Sequence, residues 1–217
     1  MQDNLADSGS FIMKKMVSPA KVLLYGHSFI NHYKRWSDQQ GGRFDNLAMG
    51  QDKVRVYYHG VGGATIAHMG QECNLDRVRS IKPDVVFIQL GTNDLAMASY
   101  GPEWVVDRMK ELVLEILAMG VQRVIVGQVL FRGVAGLKRA VPNFRGKVIV
   151  FNHQAESTIN GIDKAVLWKH HNMWKYIEQL VADDGTHLND RCHYKYYRSL
   201  KGAVLLALKF IGDTRRS

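Results

Sequence analysis

The stretch Lys21-Val22-Leu23-Leu24-Tyr25-Gly26-His27-Ser28 decides the fold. Its apolar residues run on without alternating with polar ones, which suits a strand buried on both faces. Gly26 ends the run. From Ser28 to Trp36 the spacing turns helical, with Phe29, Ile30 and Tyr33 on one side and Lys34 and Arg35 on the other. A buried strand passing straight into an amphipathic helix is the first half of a βαβ unit.

The same alternation recurs along the chain. Lys53–Tyr58 reads as a second strand, and Asn74–Ile81 as a short helix closed by Pro83. Asp84–Leu90 is the most apolar strand, so it is predicted to be central. Pro102 and Gly120 bracket a helix in the expected order, proline at the start and glycine past the end. Arg123–Leu130 is a fourth strand and Arg132–Asn143 a basic loop. Phe144–Ile159 is predicted to be helical, although Val148-Ile149-Val150 favours a strand. Lys164–Trp168 is a fifth strand, and Asn189–Ile211 the last helix. Strands alternating with helices predict an α/β fold, a parallel sheet covered on both faces.

Composition sets the bounds. The 217 residues are 46% hydrophobic and 23% charged, a globular balance. With no repeat or linker in view, the reading is one domain over residues 20–212, with an N-terminal arm (1–19) and a basic C-terminal tail (213–217). The longest apolar run, Ala203–Leu208, is far short of the roughly 20 residues that span a bilayer. The first twenty residues have no apolar core of a secretory signal, so a cytoplasmic location is expected. Cys73 and Cys192 form no C-x-x-C pair, and reduced thiols are expected rather than a zinc site or redox motif. No carboxylate–histidine cluster calls for a metal, and no cofactor is expected. The net charge of +9 admits an anionic partner.

In open α/β sheets, ligands bind beyond the carboxyl ends of the strands. Four polar clusters fall there: Gly26-His27-Ser28, His59-Gly60-Val61-Gly62-Gly63, Gly91-Thr92-Asn93-Asp94 and Asp184-Gly185-Thr186-His187. Together they supply the parts of an acyl-transfer site. A serine hydroxyl needs a base, and His187 is the candidate. Asp184, three residues earlier, can reach the other imidazole nitrogen through one tight turn and fix its tautomer. A tetrahedral oxyanion needs preorganised donors, which the Ser28 N–H, the Gly63 N–H and the Asn93 amide can provide.

This pattern resembles the SGNH hydrolases, the GDSL-like family. Four blocks match in order: Gly26-x-Ser28, Gly63, Gly91-x-Asn93-Asp94 and Asp184-x-x-His187. The resemblance spans about Lys21 to Ile211. It implies a flavodoxin-like three-layer α/β/α sandwich with a five-stranded parallel sheet. It also implies ester cleavage, with Ser28, His187 and Asp184 as triad and Ser28, Gly63 and Asn93 as oxyanion donors. The family's first block is usually Gly-Asp-Ser, and the chain departs from it at His27. That substitution questions what supports the serine turn. The Gly-His-Ser form is similar to SGNH modules common in animal genomes, some of them carried in retroelements.

Other residues have less definite readings. His27 can support the loop or compete as base, with the structural role expected. His27, His59, Asp94 and Arg132 are candidate pocket-lining residues. Asp94 rivals Asp184 but is expected to shape the loop holding Asn93. The expected substrate is a small-molecule ester with a short acyl group. The alternative is a binding module that kept the fold and lost turnover, holding nucleic acid or acidic lipid on its basic surface. Tyr194, Tyr196 and Tyr197 lie among Arg191, Lys195, Arg198 and Lys201, a pattern that can bind single strands by stacking. A solvated helix face is the preferred reading of that segment.

Overall fold

A computed structural model describes residues 18–174 and 177–214. Most of the expected N-terminal arm, and the tail residues Arg215 and Arg216, lie outside the described residues. The strands are β1 (Ala20–Gly26), β2 (Val54–Gly60), β3 (Val85–Gln89), β4 (Arg123–Gly127) and β5 (Ala165–Trp168). They form one five-stranded sheet in the order β2-β1-β3-β4-β5, every pair parallel. That is the flavodoxin-like order, with β3 at the centre as its apolarity predicts.

The helices are α1 (Ser28–Gln39), α2 (Ile66–Met69), α3 (Glu72–Ile81), α4 (Thr92–Leu95), α5 (Pro102–Ala118), α6 (Val134–Leu137), α7 (Phe144–Asn160) and α8 (Asp190–Thr214). They form two layers, and β1 shows why. Leu23 and Tyr25 join the core made with Leu75 of α3, Val105 and Leu112 of α5 and Phe151 of α7. Val22 and Leu24 join the opposite core, with Phe29 and Tyr33 of α1 and Leu200 and Val204 of α8. Successive strand side chains point to opposite faces, so a strand that is apolar at every position requires a core on each side. Among the described residues, no helix is long and apolar enough to cross a membrane.

The structure differs from the sequence reading at the end of the fourth strand and in the basic loop, and between them it bears out the helix over Phe144–Ile159 against local strand propensity. The fourth strand ends at Gly127 rather than Leu130. Its neighbour β5 runs out at Trp168, and the Asn152 side chain takes over, accepting from Val129 N–H at 3.0 Å and donating to Val129 C=O at 2.9 Å. The β-branched run Val148-Ile149-Val150 is helical, because Phe144, Val148, Phe151, Ala155 and Ile159 share one buried face. Packing of that stripe outweighs local propensity. The basic loop contains α6, and Gly136 packs so closely on the Asp184 turn that a Cβ there would stand 2.3 Å from the Gly185 carbonyl oxygen.

The last helix also sorts its tyrosines. Tyr196 and Tyr197 are buried, while Tyr194 is exposed. The aromatic residues interleaved with the basic ones therefore belong mostly to the core.

Candidate active site

The switch in strand order falls between β1 and β3, the crevice where such sheets bind ligands. Ser28 follows β1 and Asn93 follows β3, one on each side of it.

β1 and β3 lie so close at Gly26 that a Cβ there would stand 2.2 Å from the Gln89 carbonyl oxygen. Only glycine fits, and the chain turns there into α1. Ser28 is the first residue of that helix and is partly exposed. Its N–H is one of the first-turn donors that helix geometry leaves without an intrahelical partner.

The question posed by His27 is answered at this turn. His27 is the N-cap of α1, and its Nδ1 accepts from the Phe29 N–H at 3.3 Å. An N-cap needs only a side-chain acceptor in extended backbone, and a neutral imidazole supplies one. The bond fixes the tautomer with the proton on Nε2. Burial first, then the neighbouring His187, Arg132 and His32, push the His27 pKa down to about 3. A neutral, buried ring whose lone pair is already engaged is a support for the turn and not a rival base.

The Asp184 turn delivers the other partners. Asp184 Oδ1 accepts from the backbone N–H groups of Thr186 (2.8 Å) and His187 (2.9 Å), and Oδ2 lies 2.5 Å from His187 Nδ1. Burial would raise this carboxyl, but the bonds from Thr186, the His187 ring and the His187 N–H hold it at about 2. It is therefore an anion at neutral pH. His187 Nδ1 then carries the proton, and Nε2 is left as acceptor for the Ser28 hydroxyl at 2.8 Å. Ser28 and the Asp184–His187 turn, far apart in sequence, form one hydrogen-bonded chain.

Gly63 is exposed, with φ +70° and nothing within 4 Å of where a Cβ would stand. Glycine is favoured there by backbone conformation rather than by space. Asn93 Nδ2 donates to the Ala64 carbonyl at 2.9 Å, tying β3's end to the Gly63 loop. Asp94 grips the same loop, its Oδ1 accepting from the Ile66 N–H at 3.0 Å. It is fully buried, and burial raises its pKa to about 6 against the pull of the backbone N–H groups. Asp94 is thus a loop clamp whose bonds go to the backbone, while Asp184 is the carboxylate on His187. Arg132 is buried, with Nη2 donating to Asn93 Oδ1 at 3.1 Å and to the Thr92 carbonyl at 3.3 Å. His59 packs elsewhere. Its Nε2 is 2.9 Å from Asn74 Oδ1, and its ring lies against Tyr25.

Sequence reasoning missed two features. The His32 ring stacks on the His187 ring. Its signal was the i,i+4 spacing from Ser28, which puts both on one face of α1. His170 is buried in a polar network under the site. Gln89 Oε1 accepts from the Tyr196 hydroxyl (3.1 Å) and pairs with His170 Nε2 (2.9 Å), and His170 Nδ1 pairs with the Ser199 hydroxyl (2.9 Å). No local spacing announces contacts across 81 and 29 positions.

A cavity of about 460 Å³ opens beside the relay, lined by His32, Arg35, Gln39, Asp184, His187 and His193 among others. Among the described residues there is no group of three or more His, Cys, Asp or Glu side chains able to hold a metal ion.

A parallel sheet with a Ser–His–Asp relay at its switch point defines a hydrolase of the GDSL-like class. The chain belongs to the GDSL-like lipase/acylhydrolase family, whose profile matches residues 24–195. No curated protein sequence matches it. Solved structures do. A GDSL-like lipase from Bacteroides thetaiotaomicron is 18% identical, with 86% of this chain and 88% of that one covered and a TM-score of 0.64. A carbohydrate esterase family 3 protein from Talaromyces cellulolyticus is 15% identical, covering 88% and 98%, TM-score 0.65. A mutant of Axe2, an acetyl-xylooligosaccharide esterase from Geobacillus, is 16% identical, covering 86% and 94%, TM-score 0.64. At such identities the likeness establishes the fold.

Proposed function

We propose that this protein is a serine esterase that hydrolyses small carboxylic esters with short acyl groups, acetyl among them. The observation that carries the reading is the relay itself, with Ser28 Oγ 2.8 Å from His187 Nε2 and His187 Nδ1 2.5 Å from Asp184 Oδ2. In the proposed reaction Ser28 Oγ attacks the ester carbonyl as His187 Nε2 takes its proton. The carbonyl π electrons move onto oxygen, and the oxyanion is received by the Ser28 N–H, the Gly63 N–H and the Asn93 amide. Collapse expels the alcohol, which leaves with the proton from His187. Water repeats the sequence on the acyl-enzyme, releasing the acid and free Ser28. Asp184 stays ionised and steadies the transient imidazolium.

The preference for short acyl groups is supported by the acetyl esterases among the structural neighbours, the acetyl-xylooligosaccharide esterase Axe2 among them. The test is a panel of nitrophenyl acetate, butyrate and octanoate, with Ser28→Ala alongside. Acetate is expected to turn over fastest, and Ser28→Ala to fall to background. Equal rates for the two proteins overturn the reading.

A further inference from the structure

The structure assigns to Arg132 a positioning role in the ester chemistry proposed above, on which this inference rests: it locks the Asn93 amide with its N–H end, not its carbonyl end, as the group available to the oxyanion.

The two ends of an asparagine amide are nearly equal in shape, and only partners distinguish them. Asn93 is held at both. Its Oδ1 faces Arg132 Nη2 at 3.1 Å, and a guanidinium is donor only. Its Nδ2 faces the Ala64 carbonyl at 2.9 Å, and a carbonyl is acceptor only. Turning the amide over would set N–H against guanidinium and C=O against C=O, breaking both bonds. With Oδ1 and one Nδ2 hydrogen engaged, the second Nδ2 hydrogen is the one left for substrate. Ala64 follows Gly63, so the same amide also anchors the loop bearing the second backbone donor. A flipped Asn93 would present lone pairs to a developing negative charge.

Arg132 is built for this and poorly explained as packing. It is 7% exposed, and among the described residues it makes no ion pair and its Nε has no partner. Among the described residues its hydrogen bonds go to Thr92 and Asn93, and Phe144 lies 5.1 Å beneath the guanidinium. Burying a cation without a carboxylate is unfavourable, and an apolar side chain would fill the site without that penalty. Burial, then the nearby Arg139, shift its protonation downward while Asp184 opposes them, but a guanidinium stays charged at any working pH. Its position behind the oxyanion donor repays that burial only when negative charge develops on the substrate.

The experiment compares wild type with Arg132→Lys, Arg132→Met and Arg132→Ala. The readouts are nitrophenyl acetate kinetics, affinity for a trifluoromethyl ketone, and fluorophosphonate labelling of Ser28. Arg132→Met is expected to lose about 10- to 100-fold in kcat with KM little changed. Ketone affinity should fall in step, and Arg132→Lys should lie between. Millimolar guanidinium should return part of the kcat lost in Arg132→Ala. A rise in KM with kcat intact overturns the assignment, as does a folded Arg132→Ala that guanidinium leaves unchanged. If the small variants do not fold, Arg132→Lys at wild-type kcat and ketone affinity overturns it. A wild type that is neither labelled nor active at Ser28 removes the esterase reading and this role with it. A wild type active beside unaltered Arg132 variants removes only this role.

Discussion

The imidazole of His32 lies flat on that of His187, with ring centroids 3.9 Å apart and planes 4° from parallel. His187 is held at both ring nitrogens, by Asp184 and by Ser28, so its faces are what remain for a neighbour to control. Burial first, then His187 and Arg35, lower the His32 pKa against the pull of Asp184, so the stacked ring favours its neutral form. A neutral ring face tolerates an imidazolium beside it, whereas a cation there opposes one.

The charge at position 32 should therefore matter more than its size. His32→Phe keeps a flat neutral face and should hold kcat within about threefold. His32→Arg places a fixed charge near the imidazolium. Two like charges 4 Å apart repel by about 4 kcal/mol at an effective dielectric of 20, and solvent at this partly exposed site cuts that to about 1–2 kcal/mol. A loss of roughly tenfold in kcat is expected. Equal kcat in the two variants would count against a charge effect.

The capping role of His27 predicts a ranking. His27→Asn retains an acceptor for the Phe29 N–H and should be close to wild type in stability. His27→Ala loses it, at about 1 kcal/mol for the cap, with a further loss from the space it leaves. Urea unfolding measures both, and equal midpoints for Ala and Asn would refute the cap.

Three buried histidines should make the fold acid-sensitive. His27, His170 and His193 have pKa values lowered from 6.5 to about 3, 3 and 4, with burial the leading cause in each. The folded state excludes protons that the unfolded chain binds below about pH 6.5. Stability is therefore intact above that pH and falls as pH drops toward 3–4. The slope approaches about 1.4 kcal/mol per pH unit for each histidine. Denaturant melts from pH 7.5 to 4.5 should show this. His170→Gln should flatten the slope, and a pH-independent wild type would contradict the burial argument.

Asp94 carries the opposite sign. Its pKa is raised to about 6, so the folded state favours the protonated acid, and ionisation above pH 6 is destabilising. Asp94→Asn keeps an oxygen for the Ile66 N–H and removes that charge. It should gain up to about 2–3 kcal/mol relative to wild type above pH 7 and little at pH 4. The same melts decide it. A variant destabilised at pH 8 would show that the carboxylate, not merely an acceptor, is needed on Ile66.

Much of the fold was legible because its signals are local. Apolar runs such as Val22–Tyr25 mark buried strands, and glycine or proline mark their ends. The site was legible for a related reason. Ser28 and Asn93 stand just past strand ends and Asp184 and His187 on the turn before α8, so all four announce themselves as short polar blocks along the chain. What stayed hidden depends on contacts between distant segments. Arg132 reads as one more charge in a basic loop until Asn93 is beside it, 39 positions away. His170 has no partner within reach in sequence. Val148-Ile149-Val150 has the propensity of a strand, and burial of the stripe through Phe144, Val148, Phe151, Ala155 and Ile159 holds it in the helix the spacing predicts.

The sequence by itself determined the strand-helix alternation, the central place of β3 and the four polar blocks, because periodicity and turn chemistry are properties of neighbouring residues. The tertiary structure alone decided which face His32 presents to His187, that His27 caps rather than competes, and which end of the Asn93 amide is free. Those are matters of distance and orientation between segments, and they exist only once the two cores have packed the sheet between them.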